Sequence, residues 1–143
     1  MRSDAYGENE KEILTIEFAA KTYAFDHGDQ ERIRLKIMRR GCLRKTALFR
    51  CCTLSGTAKK NEHFLPKLET LFFNRNETEK FVTVDLMGGP ASPWSAHDSF
   101  QVRLELDSSH ADDPRTQVGK CCTAKVTFEP ANSENKDSVI NFK

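Results

Sequence analysis

The sequence predicts an all-β chain, an immunoglobulin-like antiparallel β-sandwich of about seven strands. Three observations carry that expectation. Several segments alternate apolar and polar residues at period two, which buries one face of a strand and leaves the other in water. The segments are short and are separated by Gly, Pro, Asn and Asp, the residues of turns. Convincing helical periodicity is absent throughout.

Taken in order, residues 1–12 are polar and read as a flexible N-terminal segment. ILTIEF (13–18) is a short apolar strand, followed by YAF (23–25) and the turn DHGDQ (26–30). RIRLKIM (32–38) sets Ile33, Leu35 and Ile37 on one face and Arg32, Arg34 and Lys36 on the other. RRGC (39–42) reads as a turn, TALFRCCT (46–53) as the next strand and TLFF (70–73) as another. NRNET (74–78) turns the chain into the alternating KFVTVDL (80–86), and GGPASP (88–93) is a loop of helix breakers. FQVRLEL (100–106) puts Phe100, Val102, Leu104 and Leu106 on one face. SSHADDPRTQVGK (108–120) reads as a long polar connection, and CCTAKVTF (121–128) as a strand with Cys122, Ala124, Val126 and Phe128 inward. The tail SVINFK (138–143) echoes EILTIEF (12–18), as if a following repeat began after a polar linker. The expected division is therefore 1–12, a domain over 13–131, and a linker over 132–143.

The chain has 143 residues, the size of one domain, with 38% hydrophobic and 30% charged residues. Its 22 basic and 21 acidic residues give a net charge of +1, so there is no electrostatic case for nucleic acid. No stretch approaches the roughly 20 apolar residues that span a bilayer, and MRSDAYGENEKE lacks the apolar core of a signal peptide. Membrane insertion by this segment is not expected. Gly-rich phosphate loops, the G-x-S-x-G elbow and H-E-x-x-H are all missing, and no nucleophile stands beside a base, so catalysis is not expected. Asn76-Glu77-Thr78 is an N-x-T glycosylation sequon in an expected surface turn.

The ordered series of these pieces resembles the Calx-beta domain. The pieces are IEF…Y (16–23), RIRLKIMRRG (32–41), RCCTLSGTA (50–58), HF (63–64), LFFNRNETEKFVTVDL (71–86), DSFQVRLEL (98–106) and TAKVTFEP (123–130). Within that family LRKTALFRCCTLSGTA (43–58) and Glu77-Thr78-Glu79-Lys80 look most like the Fras/Frem extracellular-matrix proteins. The resemblance implies a structural and interaction module in a tandem array at the basement membrane. Its partners would be matrix or adhesion proteins and neighbouring repeats. The alternative it implies is a cytosolic calcium-sensing regulatory domain of a sodium/calcium exchanger.

Calcium-binding members gather carboxylates at one pole of the sandwich, because Ca²⁺ takes six to eight oxygens. At the corresponding places this chain carries Asp26, Glu62, Asp98 and Glu129, but His63 replaces the acidic residue before the aromatic, and MGGPAS (87–92) replaces an acidic run. The expectation is no cofactor, or weakly bound Ca²⁺. His27, His63 and His97 fall on the segments that would meet there, which raises Zn²⁺ or Cu²⁺ as a lesser alternative.

The five cysteines, Cys42, Cys51, Cys52, Cys121 and Cys122, have neither zinc-knuckle spacing nor a disulfide pattern. The family topology separates strands 46–53 and 121–128 by one strand. That is about 9–10 Å, beyond the roughly 7 Å between the Cα atoms of a disulfide. Cys51 and Cys122 are therefore expected as core residues, and Cys42, Cys52 and Cys121 as free thiols.

Overall fold

A computed structural model describes residues 13–26, 31–87, 93–110 and 112–130. The expectations for residues 1–12, for His27, for the loop residues 88–92 and for the linker and repeat over 132–143 fall outside these. The elements are β1 Leu14–Phe18, β2 Thr22–Phe25, β3 Arg32–Gly41, β4 Ala47–Leu54, β5 Leu68–Phe73, β6 Glu79–Asp85, β7 Ser99–Leu106, a 3₁₀ turn Ser108–His110, β8 Thr116–Val118 and β9 Thr123–Phe128. They form two sheets, ordered β6-β3-β1-β8 and β2-β9-β7-β4-β5.

The alternations in sequence are the alternations in burial. Ile33, Leu35 and Ile37 of β3, Ala47, Phe49 and Cys51 of β4, Val82 and Val84 of β6, and Phe100, Val102 and Leu104 of β7 face the core between the sheets. Burial pushes the Cys51 thiol up to about 12, so it packs as a small apolar side chain. Strands β4 and β9 share a sheet with β7 between them, and all five cysteines are free.

The fold departs from the sequence expectation in five places. Nine strands stand among the described residues rather than about seven. Residues 39–41 are not a turn: they prolong β3, because Arg39 keeps the inward phase of Ile33, Leu35 and Ile37 and finds carbonyls there. The polar connection 108–120 contains β8, which pairs with β1. Cys121 and Cys122 are both half-buried, because β9 starts only at Thr123 and the two residues lie in the crossing before it. Leu106 is half-buried at the end of β7.

Two ladders, β1–β8 and β2–β9, are parallel. The reason is a paired crossing. The first chain segment leaves one sheet after Phe18 and enters the other at Thr22, and the last does the same between Val118 and Thr123. The crossings lie side by side, tied by Gly119 N–H to Ile16 O at 2.8 Å and Phe18 N–H to Cys121 O at 2.8 Å.

The connection into β8 is held by Asp113. Its carboxylate accepts the Thr116 hydroxyl at 2.7 Å and the Arg115 N–H at 3.0 Å, with Lys45 Nζ at 3.4 Å. Those hydrogen bonds to the ionised form, the Thr116 one foremost, lower its pKa from 3.8 to about 2. A depressed carboxylate pKa stabilises the fold above the unfolded value, and that contribution is lost as pH falls through the folded one. Asp113→Asn is expected to flatten the acid limb of a stability-versus-pH curve between about pH 4 and 2. An unchanged limb would show that Asp113 does not contribute to it.

Candidate functional site

The Gly-Thr-Ala motif builds one end of the sandwich. A Cβ on Gly56 would sit 2.5 Å from Ser99 O, so the turn after β4 closes against β7 only with glycine. Thr57 Oγ1 accepts the Ser99 N–H at 2.9 Å, and Ala58 N–H donates to Ser99 O at 2.9 Å. Ala58 is fully buried. These three residues fasten the β4 turn onto the start of β7 and fix the loop that follows.

That loop presents His63 and Phe64. Asn61 takes a left-handed φ of 68°, and His63 N–H donates to Lys59 O at 2.9 Å, closing a tight turn. Phe64 is fully buried and stacks on Phe100 with ring centroids 4.0 Å apart. His63 is 8% exposed. Its Nδ1 accepts the Lys59 N–H at 2.9 Å, so the ring proton sits on Nε2, which lies 3.4 Å from Asp98 Oδ2. The same Asp98 oxygen accepts the Ser95 N–H at 2.8 Å.

Trp94 walls the pair from the core. Its ring edge meets His63 at 5.0 Å and Phe25 at 4.9 Å, and its Nε1–H donates to Met87 O at 2.8 Å. Sequence reasoning passed over Trp94, since it follows a loop of helix breakers with no periodicity to mark it as core. That it is the chain's single tryptophan was the available signal.

The other expected site residues spread from this centre. Phe25 and Phe128 are partners in the β2–β9 ladder, so Asp26 and Glu129 follow side by side at the strand ends. Both line an open groove of about 640 Å³ whose rim also carries Arg32 and Arg34. Glu129 is paired with His97, Nδ1 to Oε1 at 2.9 Å. Glu62 is exposed on the turn before His63, and its carboxylate joins neither pair. Asn76 lies at the opposite end of the sandwich, in the β5–β6 turn. The fold thus brings His63 to Asp98, His97 to Glu129 and Asp26 beside Glu129, and leaves Glu62 and Asn76 apart. Among the described residues no three His, Cys, Asp or Glu side chains gather closely enough to hold one metal ion.

The chemistry of this arrangement is that of a closed polar network. Both nitrogens of His63 are engaged, one by a backbone amide and one by a carboxylate, so neither offers a lone pair to a substrate proton. Asp98 is spent on the same network. Such a set orients loops, because a buried polar group that is fully satisfied favours one arrangement.

The Calx-beta domain model matches residues 9–132. Human (Homo sapiens) extracellular matrix organizing protein FRAS1 is 28% identical over 124 residues, which is 84% of this chain and 3% of that protein. The mouse (Mus musculus) protein is 29% identical over the same length and share. The chain therefore spans a small fraction of the curated relatives it matches. In fold it is similar to the apo form of the Calx CBD1 domain, with a TM-score of 0.71 and 16% identity over 82% of this chain and 96% of that one. With a core built on these positions and a family match over most of its length, the chain belongs to the Calx-beta domain family.

Proposed function

We propose that this chain is a non-catalytic structural and interaction module of a larger extracellular-matrix protein, with its family calcium pole closed by its own hydrogen bonds and ion pairs. The module would span residues 13–131, after an N-terminal segment over 1–12 and before a linker and the start of a following repeat over 132–143. The observation that carries the reading is the engagement of the pole: His63 with Lys59 and Asp98, His97 with Glu129. Ca²⁺ affinity follows the number of carboxylate oxygens offered to it. Here Asp98 and Glu129 already have partners, an imidazole stands at the centre, and Arg32 and Arg34 share the rim with Asp26. This donor set fits a hard dication poorly. Zn²⁺ would fit only if His63 gave up the Lys59 amide. The similarity to FRAS1, a matrix organizing protein, supports the extracellular placement.

One observation favours a second reading. Five free thiols suit a reducing compartment, as expected of a cytosolic calcium-sensing domain of an exchanger.

A thermal melt of the chain in chelator, then with Ca²⁺, then with Zn²⁺, separates the two. A ligand present at 100 times its Kd adds about 2.7 kcal/mol to stability. No such shift is expected with Ca²⁺ at millimolar concentration, nor any difference between parent and His63→Ala in their response to Zn²⁺. A Ca²⁺ shift of that size, abolished by Asp98→Asn, would overturn the closed-pole reading and put the sensor first.

A further inference from the structure

We propose that Asn76 is an N-glycan acceptor, so that the module carries one oligosaccharide at the end of the sandwich opposite the His63–Asp98 pole; this rests on the extracellular reading above. The chain holds a single N-x-S/T sequon, Asn76-Glu77-Thr78. A sequon alone says little. The geometry around this one adds three observations.

Asn76 is exposed, as are Asn74, Arg75 and Thr78 around it, so a bulky polar substituent there displaces no packed side chain. The turn is held without the Asn76 side chain. Asn74 N–H donates to Glu77 Oε1 at 2.7 Å, Glu77 N–H to Asn74 O at 3.1 Å, and Asn76 N–H to Leu43 O at 2.9 Å. Asn74 by contrast spends its own Nδ2 on Glu77 Oε1, at 3.2 Å. The backbone at Asn76 is therefore fixed while its amide nitrogen is left for chemistry.

Asn76 also takes a left-handed φ of 67°. Asparagine adopts that region more readily than other side-chain-bearing residues. Asn61 has a similar φ of 68°, but it is followed by Glu62-His63 and carries no sequon.

The step is a group transfer from a lipid-linked oligosaccharide diphosphate, the donor of the secretory pathway. Asn76 Nδ2 forms a bond to C1 of the sugar. The C1–O bond to the diphosphate breaks, the lipid diphosphate leaves with the electron pair, and the amide gives up one proton. The product side chain remains neutral, so neither the Glu77–Lys80 pair nor the Arg39 contacts to this turn change in charge.

The test is translation of the full chain behind a cleavable signal peptide with microsomes, reading only the protease-protected product. The expected result is one discrete mass step that peptide-N-glycosidase removes. Asn76→Gln and Thr78→Ala should lack it and Thr78→Ser should keep it. A protected parent chain that co-migrates with Asn76→Gln, before and after the enzyme, overturns the proposal. The matrix reading fails separately: a native protein found in the cytosol and unglycosylated would sink that reading, while a microsomal mass step would still establish Asn76 as an acceptor.

Discussion

Arg39→Ala is expected to lower the stability of the fold by about 3–5 kcal/mol, the cost of leaving the buried carbonyls that it serves without a donor. Arg39 is 3% exposed although it is the eighth residue of an alternating strand that otherwise points aliphatic side chains inward. Its guanidinium donates from Nε to Cys42 O at 3.1 Å, from Nη1 to Asn74 O at 2.8 Å, and from Nη2 to Lys45 O. One side chain thereby ties the β3–β4 turn to the β5–β6 turn. Desolvation by burial lowers its pKa from the ordinary value, with the Cys42 and Glu77 charges acting the other way. Removing it orphans carbonyls from two turns, each worth about 1–3 kcal/mol if left unsatisfied. Arg39→Lys keeps the charge but not the planar fork, and is expected to recover only part of the loss. Urea unfolding of the three proteins measures this. A lysine variant as stable as the parent would show that the charge, rather than the fork, holds the turns.

Phe100→Ala is expected to cost about 3–5 kcal/mol, through lost burial plus the cavity left behind. Phe100 is fully buried, stacks on Phe64 at 4.0 Å, and lies 6.3 Å from Trp94. It is the floor on which the His63–Phe64 loop rests, so its removal should loosen the pole as well as the core. The single tryptophan reports that directly: Trp94 emission should move to longer wavelength in the folded variant as water reaches it. The contrasting variant is Phe81→Ala. Phe81 is 42% exposed on the outer face of β6, under the Arg34 guanidinium at 4.1 Å. Its loss is expected to cost about 1 kcal/mol or less, the range of an exposed cation–π pair. Equal losses at Phe100 and Phe81 would contradict the core assignment.

The core strands were legible because burial on one face writes period two into the residues themselves. β3, β4 and β7 show it with three alternating apolar positions each, and β6 with Val82 and Val84. β8 was not legible, since three residues, Thr116–Val118, are too few for a period and are polar in composition. Its strand state comes from pairing with β1. Arg39 was misread for a related reason: arginine normally ends an inward phase, and only the carbonyls of the following turn and of the β5–β6 turn make it stay. At the candidate site the sequence pointed to His63, Asp98, Glu129 and Asp26 through the family pattern. It did not show which pairs with which, and it left Trp94 out.

What the sequence by itself determined is the class of fold and the family. Alternation, turn residues and the ordered motifs are local properties, carried within a few residues of each other along the chain. Gly-Thr-Ala is local in the same sense, although its reason lies elsewhere: Gly56 has no space for a Cβ beside Ser99, 43 positions on. What only the tertiary structure decided is which side chains meet at the pole. Lys59 reaches His63 Nδ1 from within the same turn, but Asp98 comes within 3.4 Å of Nε2 only because the start of β7 packs beside that turn. Hydrogen bonding is short-ranged and directional, so composition can place the donors and acceptors in one chain, but only packing can bring them within about 3 Å of each other.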